Sequence, residues 1–145
     1  MSAIVPDEVT AGLVAFLDHQ ALLSDNRIRS TTPQTKPRPG PFVCFRVDNG
    51  ESWWAPVTTQ PATAKKRKRL LLKSEWRTGT HPQWLNVDQY LNDGANIYVG
   101  PTDAFCAASG QEISNRNTRS RLTIDGVNSV NAEVERQQAR RIQQV

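Results

Sequence analysis

Residues 42–57 read FVCFRVDNGESWWAPV, two runs rich in β-branched and aromatic residues on either side of a turn signal. Such residues favour strands, and the Asn-Gly pair at 49–50 is a strong signal for a tight β-hairpin. We therefore predict a hairpin made of strands 42–47 and 52–57, and we expect the rest of the fold to be built around it.

Three further short strands are predicted after the hairpin: RLLLK (69–73), QWLNV (83–87) and ANIYV (95–99). Asp93-Gly94 marks a turn before the last of them. Five strands without helices between them favour a curled antiparallel sheet or a small barrel. The expected fold class is mainly β with flanking helices (α+β), built on a small SH3-like curled antiparallel β-barrel with an N-terminal and a C-terminal helix.

The N-terminal region is predicted to contain one helix and one long loop. Apolar residues recur at roughly helical spacing after acids in the first turn, which predicts an amphipathic helix over residues 7–23. Segment 24–41 carries four prolines among polar residues, and Ile28 is its one apolar residue. This composition is typical of a mobile loop.

The C-terminal region is polar. From Ser109 onward the composition is typical of disorder or a long loop, whereas residues 127–145 contain good helix formers along a thin apolar stripe. We therefore expect a single SH3-like barrel domain over residues 1–108, followed by a polar tail with a C-terminal helix over residues 109–145.

The charge of the chain favours polyanionic partners. Its 145 residues include 18 Lys and Arg against 14 Asp and Glu, a formal net charge of +4. Residues 65–69 read KKRKR, and no acid follows until Glu75. A run of this kind is most often a solvated loop; otherwise it is a phosphate-contacting or address-like patch.

Cysteine and histidine usage argues against several classes of protein. Cys44 and Cys106 form no Cys-x-x-Cys motif and follow no signal peptide, so we expect two buried thiols in a cytoplasmic protein. No apolar run approaches the roughly 20 residues that span a bilayer, so no membrane association is expected. His19 and His81 lie far apart without nearby cysteines, which predicts neither a metal site nor a cofactor.

Three short motifs follow one another along the chain: KPRP (36–39), PVTTQ (56–60) and the Asp88-Gln89 pair in LNVDQY. Their order and spacing resemble the MazF/PemK family of toxins, in which an Arg-Pro pair opens a strand, a later strand ends in Pro-x-Thr-Thr or Pro-x-Thr-Ser, and another carries Asp-Gln. The resemblance covers residues 37–99. The family usually begins with a strand reading Gly-Asp-Ile/Val-Val-x-Val, whereas a helix is predicted here. That arrangement, a helix followed by a proline-rich loop, looks closer to the related ToxN-like toxins, and both branches stay open.

The resemblance implies a metal-independent endoribonuclease that cleaves single-stranded RNA, because RNA supplies its own nucleophile in the 2′-hydroxyl. The catalytic residues implied are Arg38, Thr58 and Thr59. A guanidinium can hold the phosphate and stabilise the transition state; Arg38 is the first choice for this role and Arg46 the alternative. The threonine hydroxyls can donate to the phosphate or the 2′-oxygen. By default, however, such threonines serve β-propensity and turn chemistry, and Arg38 is a solvated cation.

RNA contacts are expected from cations and aromatic rings, the combination used by proteins that bind single strands. Alternation sends Trp53 and Trp54 to opposite faces of a strand, so one of them is expected in the core and the other, with Tyr90 or Trp84, on a stacking surface. The alternative is that all four tryptophans fill a core or a dimer interface. His81 is a candidate acid or base, although a loop histidine is more often a bystander. The predicted RNA-binding residues are Arg46, Trp54, Lys65, Lys66, Arg67, Lys68, Arg69, His81 and Trp84.

The resemblance also implies partners. A toxin of this kind is restrained by a cognate antitoxin, which is a protein in MazF-like systems and an RNA if the ToxN-like branch applies; a homodimer is implied by the MazF-like branch only. Two rival functions remain at this stage. One is a non-catalytic SH3-like module that binds nucleic acid or a protein. The other is a small phage- or plasmid-borne interaction protein, such as an inhibitor of a host enzyme.

Overall fold

The computed structural model describes residues 3–30, 40–62, 68–92, 97–110, 112 and 114–143. They form a mixed α+β protein with a large antiparallel sheet, which confirms the predicted α+β class. The strands are β1 (Leu13–Leu17), β2 (Arg29–Ser30), β3 (Gly40–Asp48), β4 (Glu51–Thr58), β5 (Leu71–Leu72), β6 (Arg77–Thr78), β7 (Gln89–Leu91), β8 (Tyr98–Pro101) and β9 (Ser120–Leu122). The helices are α1 (His19–Ser24), α2 (Pro82–Asn86), α3 (Thr102–Ala107) and α4 (Ile124–Gln143), with 3₁₀ turns at Pro6–Glu8, Ser74–Trp76 and Arg116–Thr118.

The predicted hairpin is confirmed as the pair β3–β4. Asn49 and Gly50 both have positive φ, +51° and +78°. These angles fit the type I′ turn, whose twist matches that of the two strands and which favours Asn-Gly. The register pairs Phe42 with Pro56 and Cys44 with Trp54, and it shifts by one residue at a bulge before Arg46.

The sheet runs β2-β8-β4-β3-β1-β9-β6, and β7 leaves this path to pair with the end of β4 and with β5. The strands that the structure describes do not close into a barrel, so the SH3-like barrel stays a prediction. Both faces of the central strands are covered. In β3, Val43 and Phe45 join one core cluster while Phe42 and Cys44 join the other, as strand alternation requires.

The two faces carry different helices. One core includes Val127, Val130 and Val134 of α4 together with Trp84 of α2. The other core includes Leu22 of α1 and residues of α3, and it contains both cysteines, which are buried and free as predicted. Trp53 and Trp54 point to opposite faces, also as predicted, because Trp54 belongs to the second core whereas Trp53 packs against the first.

The predicted helix over 7–23 is wrong, since this region contains a 3₁₀ turn, then β1, then α1. β1 is buried on both faces, so its apolar residues form a continuous run that does not alternate, and this run was mistaken for helical spacing. Gly12 precedes it with φ +105°, where a Cβ would lie 2.5 Å from the Leu122 carbonyl oxygen. Asp18 caps α1 by accepting a hydrogen bond from the Gln20 N–H.

Other boundaries also differ from the prediction. The loop assigned to 24–41 contains β2 and the start of β3, and residues 31–39 lie outside the described part of the chain. The strand assigned to 83–87 is wrong: this segment is α2, capped by His81 with Pro82 at its first position. The strand assigned to 69–73 is limited to β5, and that assigned to 95–99 begins only at Tyr98.

The C-terminal helix is confirmed as α4, which begins at Ile124, three residues before the predicted start. It packs one apolar stripe against the sheet, so it is a component of the core. The loop expected after Ser109 contains a 3₁₀ turn and β9, and β9 pairs with both β1 and β6. Strand β9 and the apolar residues of α4 therefore share the sheet and the core of the rest of the described chain.

A buried ion pair joins the turn before β1 to the segment that leads into β9. Arg119 donates from Nε to Glu8 Oε1 at 2.6 Å and from Nη2 to Oε2 at 3.3 Å, and the two residues are 4% and 6% exposed. Burial alone would raise the pKa of Glu8, but hydrogen bonds from Arg119 and the Val5 N–H, together with the Arg119 charge, outweigh it and hold the pKa below its usual 4.5. The pair fixes the turn before β1 against the segment leading into β9.

Candidate functional site

In the part of the sheet formed by the end of β4, β7 and β5, the side chains on one face are less buried than those on the other. Thr58 at the end of β4 pairs with Tyr90 of β7, which in turn pairs with Leu71 of β5. Residues in register share a face, so these three side chains stand in a row. Thr58 and Tyr90 are half-buried and Leu71 is 42% exposed, whereas the adjacent residues that point the other way are buried: Val57, Leu72 and Leu91. We call this row the Thr58 face.

The hydroxyl group of Thr58 has a fixed orientation. Its Oγ1 accepts a hydrogen bond from the Gln60 N–H at 3.2 Å. Because a hydroxyl can donate one bond while it accepts another, its hydrogen stays available for a further acceptor. Thr59, the next residue, lies in an exposed bend just beyond the strand. The geometry therefore prepares Thr58, more than Thr59, to act as a hydrogen-bond donor at a defined point.

The guanidinium of Arg69 is held in place by backbone carbonyls near the end of β4. Its Nε donates to the Asn92 carbonyl at 2.8 Å, and its Nη1 donates to the carbonyls of Gln60 at 3.2 Å and Ala62 at 2.9 Å. None of the described residues accepts a hydrogen bond from its Nη2. A guanidinium whose rotamer is already held loses little entropy when it binds an anion through its remaining donors.

Gln60 connects the two groups. Its N–H binds the Thr58 hydroxyl and its carbonyl binds Arg69. From these two bonds and the dimensions of one residue, Thr58 Oγ1 and Arg69 Nη1 are separated by at most about 10 Å. A hydroxyl donor and a guanidinium at this separation can contact the same phosphodiester segment from two sides, which is the chemistry of phosphate binding and of stabilising charge on its oxygens.

The described residues on either side of segment 63–67 pair with each other. Ala62 and Lys68 pair as an antiparallel bridge, and the Arg69 N–H bonds to the Pro61 carbonyl. Lys68 is exposed, whereas Lys65, Lys66 and Arg67 lie outside the described residues. The two ends of this segment are therefore anchored next to Gln60.

Arg38, the first choice for the catalytic guanidinium, also lies outside the described residues. Gly40, the first described residue after Arg38, indicates where this end of β3 lies. Gly40 begins β3 opposite Leu17 of β1, and continuing the β3–β4 register by two residues sets Gly40 opposite Thr58. β3 therefore begins at the end of the hairpin where β4 finishes, and the predicted proximity of Arg38 to Thr58 stays a prediction.

Arg46 does not belong to the Thr58 face. Its guanidinium lies over the Trp53 ring at 4.5 Å and forms an ion pair with Asp48 at 3.7 Å. Trp53 precedes Thr58 by five residues on β4, which is about 17 Å along the strand. Arg46, which is exposed, and Trp53, which is partly buried, thus form a separate group near the hairpin turn.

Three predicted contact residues have structural roles. Trp54 is 1% exposed, stacks on Phe105 and donates from Nε1 to Ser52. Trp84 is 4% exposed and donates from Nε1 to the Thr78 carbonyl. Neither ring has a face open to a base, so the core interpretation is confirmed for both. His81 accepts the Trp84 N–H at Nδ1 and so caps α2.

Sequence patterns did not single out Arg69 from the basic run, and they named Tyr90 for stacking only as an alternative to Trp84. Among the described residues, no three His, Cys, Asp or Glu side chains are grouped as metal ligands. Within the same residues, every helix is too short or too polar to cross a bilayer.

Comparison of the chain with protein-family models, curated proteins and solved structures finds no match.

The carbonyl contacts of Arg69 lead to a stability prediction. Arg69→Ala is expected to destabilise the protein by about 2–3 kcal/mol, because hydrogen bonds from a charged donor are lost and partly buried carbonyls are left unpaired. Lys68→Ala removes the same charge from the exposed neighbour and should change stability by less than about 0.5 kcal/mol. Urea unfolding of the two variants measures the difference. Equal stabilities would show that Arg69 does not anchor the segment.

Proposed function

We propose that the chain is a metal-independent endoribonuclease toxin of a toxin-antitoxin system that cleaves single-stranded RNA through the 2′-hydroxyl. One observation carries the proposal: the Thr58 hydroxyl, which accepts the Gln60 N–H, stands on the Thr58 face within about 10 Å of the Arg69 guanidinium, which backbone carbonyls hold in place. The basic run, whose described ends are bridged beside them, adds positive charge that favours a polyanionic substrate.

The proposed reaction is a transesterification within the RNA. The 2′-oxygen attacks the adjacent phosphorus, its bond to the 5′-oxygen breaks, and a 2′,3′-cyclic phosphate is left on one product with a 5′-hydroxyl on the other. The proton of the 2′-hydroxyl passes to water as the attack proceeds, and the 5′-oxygen takes a proton from water. Thr58 donates to a phosphate oxygen and Arg69 holds the phosphate backbone, while Arg38 keeps its predicted catalytic role and Thr59 a secondary one.

The N-terminal strand supports the MazF/PemK branch of the resemblance. The departure that made the chain look closer to the ToxN-like toxins was a predicted initial helix followed by a proline-rich loop, of which residues 31–39 lie outside the described residues. The described chain instead has β1, which follows Gly12 and reads LVAFL. The proposal therefore includes a protein antitoxin and a homodimer in preference to an RNA antitoxin. It also includes an SH3-like arrangement of the strands and a cytoplasmic location.

The second candidate is a non-catalytic module that binds RNA or a protein through the same face. The observation in its favour is the position of His81, whose Nδ1 accepts a hydrogen bond from the α2 backbone. A nitrogen used in this way does not accept a proton from a substrate, so Nδ1 of the histidine predicted as acid or base serves the helix cap and Nε2 is its other ring nitrogen.

The test uses purified protein and a long single-stranded RNA in the presence of EDTA. We expect cleavage at a few recurrent sequences, products ending in a cyclic phosphate, and no cleavage where the nucleotide before the cut is replaced by its 2′-deoxy form. RNA that stays intact but shifts in a gel would overturn the nuclease in favour of the binding module. Cleavage that persists at a 2′-deoxy position would overturn the 2′-hydroxyl mechanism.

A further inference from the structure

Tyr90 occupies the middle of the Thr58 face. It lies in β7, between Thr58 on β4 and Leu71 on β5, and is directly opposite both. Directly paired residues have Cβ atoms about 4.5–5.5 Å apart, so its ring is one strand spacing from the Thr58 hydroxyl. Tyr90 is partly buried and Leu71 is 42% exposed, so the two side chains together present apolar surface on the Thr58 face.

The other aromatic side chains near this region are committed elsewhere. Trp54 and Trp84 are in the core. Trp53 lies under the Arg46 guanidinium and Trp76 under the Lys73 ammonium, at 4.5 and 5.2 Å from the ring centroids. Tyr90 is thus the aromatic residue that the described strands set beside Thr58.

We propose that Tyr90 is the base-stacking residue of the site: an unpaired base of the RNA stacks on its ring against Leu71, and this positions the attached phosphate at Thr58 and Arg69. The inference rests on the proposed RNA substrate, but it does not require cleavage. Single-strand binders combine aromatic stacking with backbone cations, and here the cations are Arg69 and the exposed Lys68. The tryptophans predicted for stacking are replaced in this role by a tyrosine.

The experiment pairs variants of the protein with variants of the RNA. The RNA is an oligonucleotide containing a recurrent cleavage sequence, with 2′-deoxy at the cleaved position; if nothing is cleaved, an unmodified oligonucleotide that the protein shifts in a gel serves. Wild type, Tyr90→Phe, Tyr90→Ala, Leu71→Ala and Lys68→Ala are titrated against it at several salt concentrations. A second series replaces one base at a time by an abasic nucleotide. Urea unfolding checks that each variant is folded.

Tyr90→Ala is expected to bind about 5- to 150-fold more weakly, with an unchanged salt dependence, whereas Tyr90→Phe keeps its affinity. Lys68→Ala should instead reduce the slope of log K against log salt by about 1. One abasic position should weaken wild-type binding yet have no effect on Tyr90→Ala, which identifies the stacked base.

Two outcomes would overturn the stacking role. One is wild-type affinity in Tyr90→Ala. The other is an abasic series in which every position weakens Tyr90→Ala as much as the wild type. These outcomes are distinguishable from failure of the proposed nuclease, because uncleaved RNA combined with a coupled Tyr90 and base would retain the stacking site while rejecting the catalysis.

Discussion

Thr58→Ala is expected to lower the rate of RNA cleavage by about two to three orders of magnitude while RNA binding changes little. The hydroxyl hydrogen is the group that Thr58 can donate, because its oxygen already accepts the Gln60 N–H. A donor aimed at charge that develops in the transition state acts on the chemical step more than on the affinity. Single-turnover cleavage and gel-shift titration of the same preparations measure the two quantities separately.

Two further threonine variants make the comparison sharper. Thr58→Ser keeps the hydroxyl and should retain most of the activity. Thr80→Ala makes the same change at an exposed threonine before α2, and it should leave the rate unchanged. If Thr58→Ala cleaves as fast as Thr80→Ala, Thr58 is only a strand-end residue with high β-propensity. A loss in Thr58→Ala that Thr58→Ser does not restore would point to packing.

The parts of the fold that the sequence predicted correctly have local causes. The β3–β4 hairpin follows from Asn49-Gly50, since both residues tolerate the positive φ of the turn. The failures occur where tertiary environment decides. β1 is buried on both faces and therefore lacks alternation, and α2 contains the same residue types as a short strand.

The candidate site shows the same division. The Pro-x-Thr-Thr motif at residues 56–59 predicted the end of β4 correctly, because it is a local pattern. Alternation placed Trp53 and Trp54 on opposite faces, but it does not say which face a helix covers, so the burial of Trp54 was not foreseen. The carbonyls that hold Arg69 belong to residues up to 23 positions away, and charge runs contain no information about them.

The ion pair of Glu8 and Arg119 is the clearest case of a feature without a local signal, since 111 positions separate the two residues. Arg119→Ala is expected to destabilise the protein by about 3–5 kcal/mol, because it leaves the Glu8 carboxylate buried without its cation. The double variant Glu8→Gln with Arg119→Ala removes the buried negative charge and should recover part of the lost stability. Urea unfolding at pH 7 measures all three proteins.

The pH dependence of stability provides an independent measurement of the same pair. Because the folded protein holds the pKa of Glu8 below its usual 4.5, the contribution of this carboxylate is fully present above pH 4.5 and is lost as pH falls through the lower folded value. Wild-type stability should therefore decline on acidification below pH 4.5, whereas Glu8→Gln should lose less. In Arg119→Ala the pKa of Glu8 should lie higher than in the wild type, since the hydrogen bond and charge of Arg119 are lost while the Val5 N–H and the Arg116 charge remain, and stability should decline less on acidification. Parallel acid profiles for all variants would mean that the pair is solvated and contributes little.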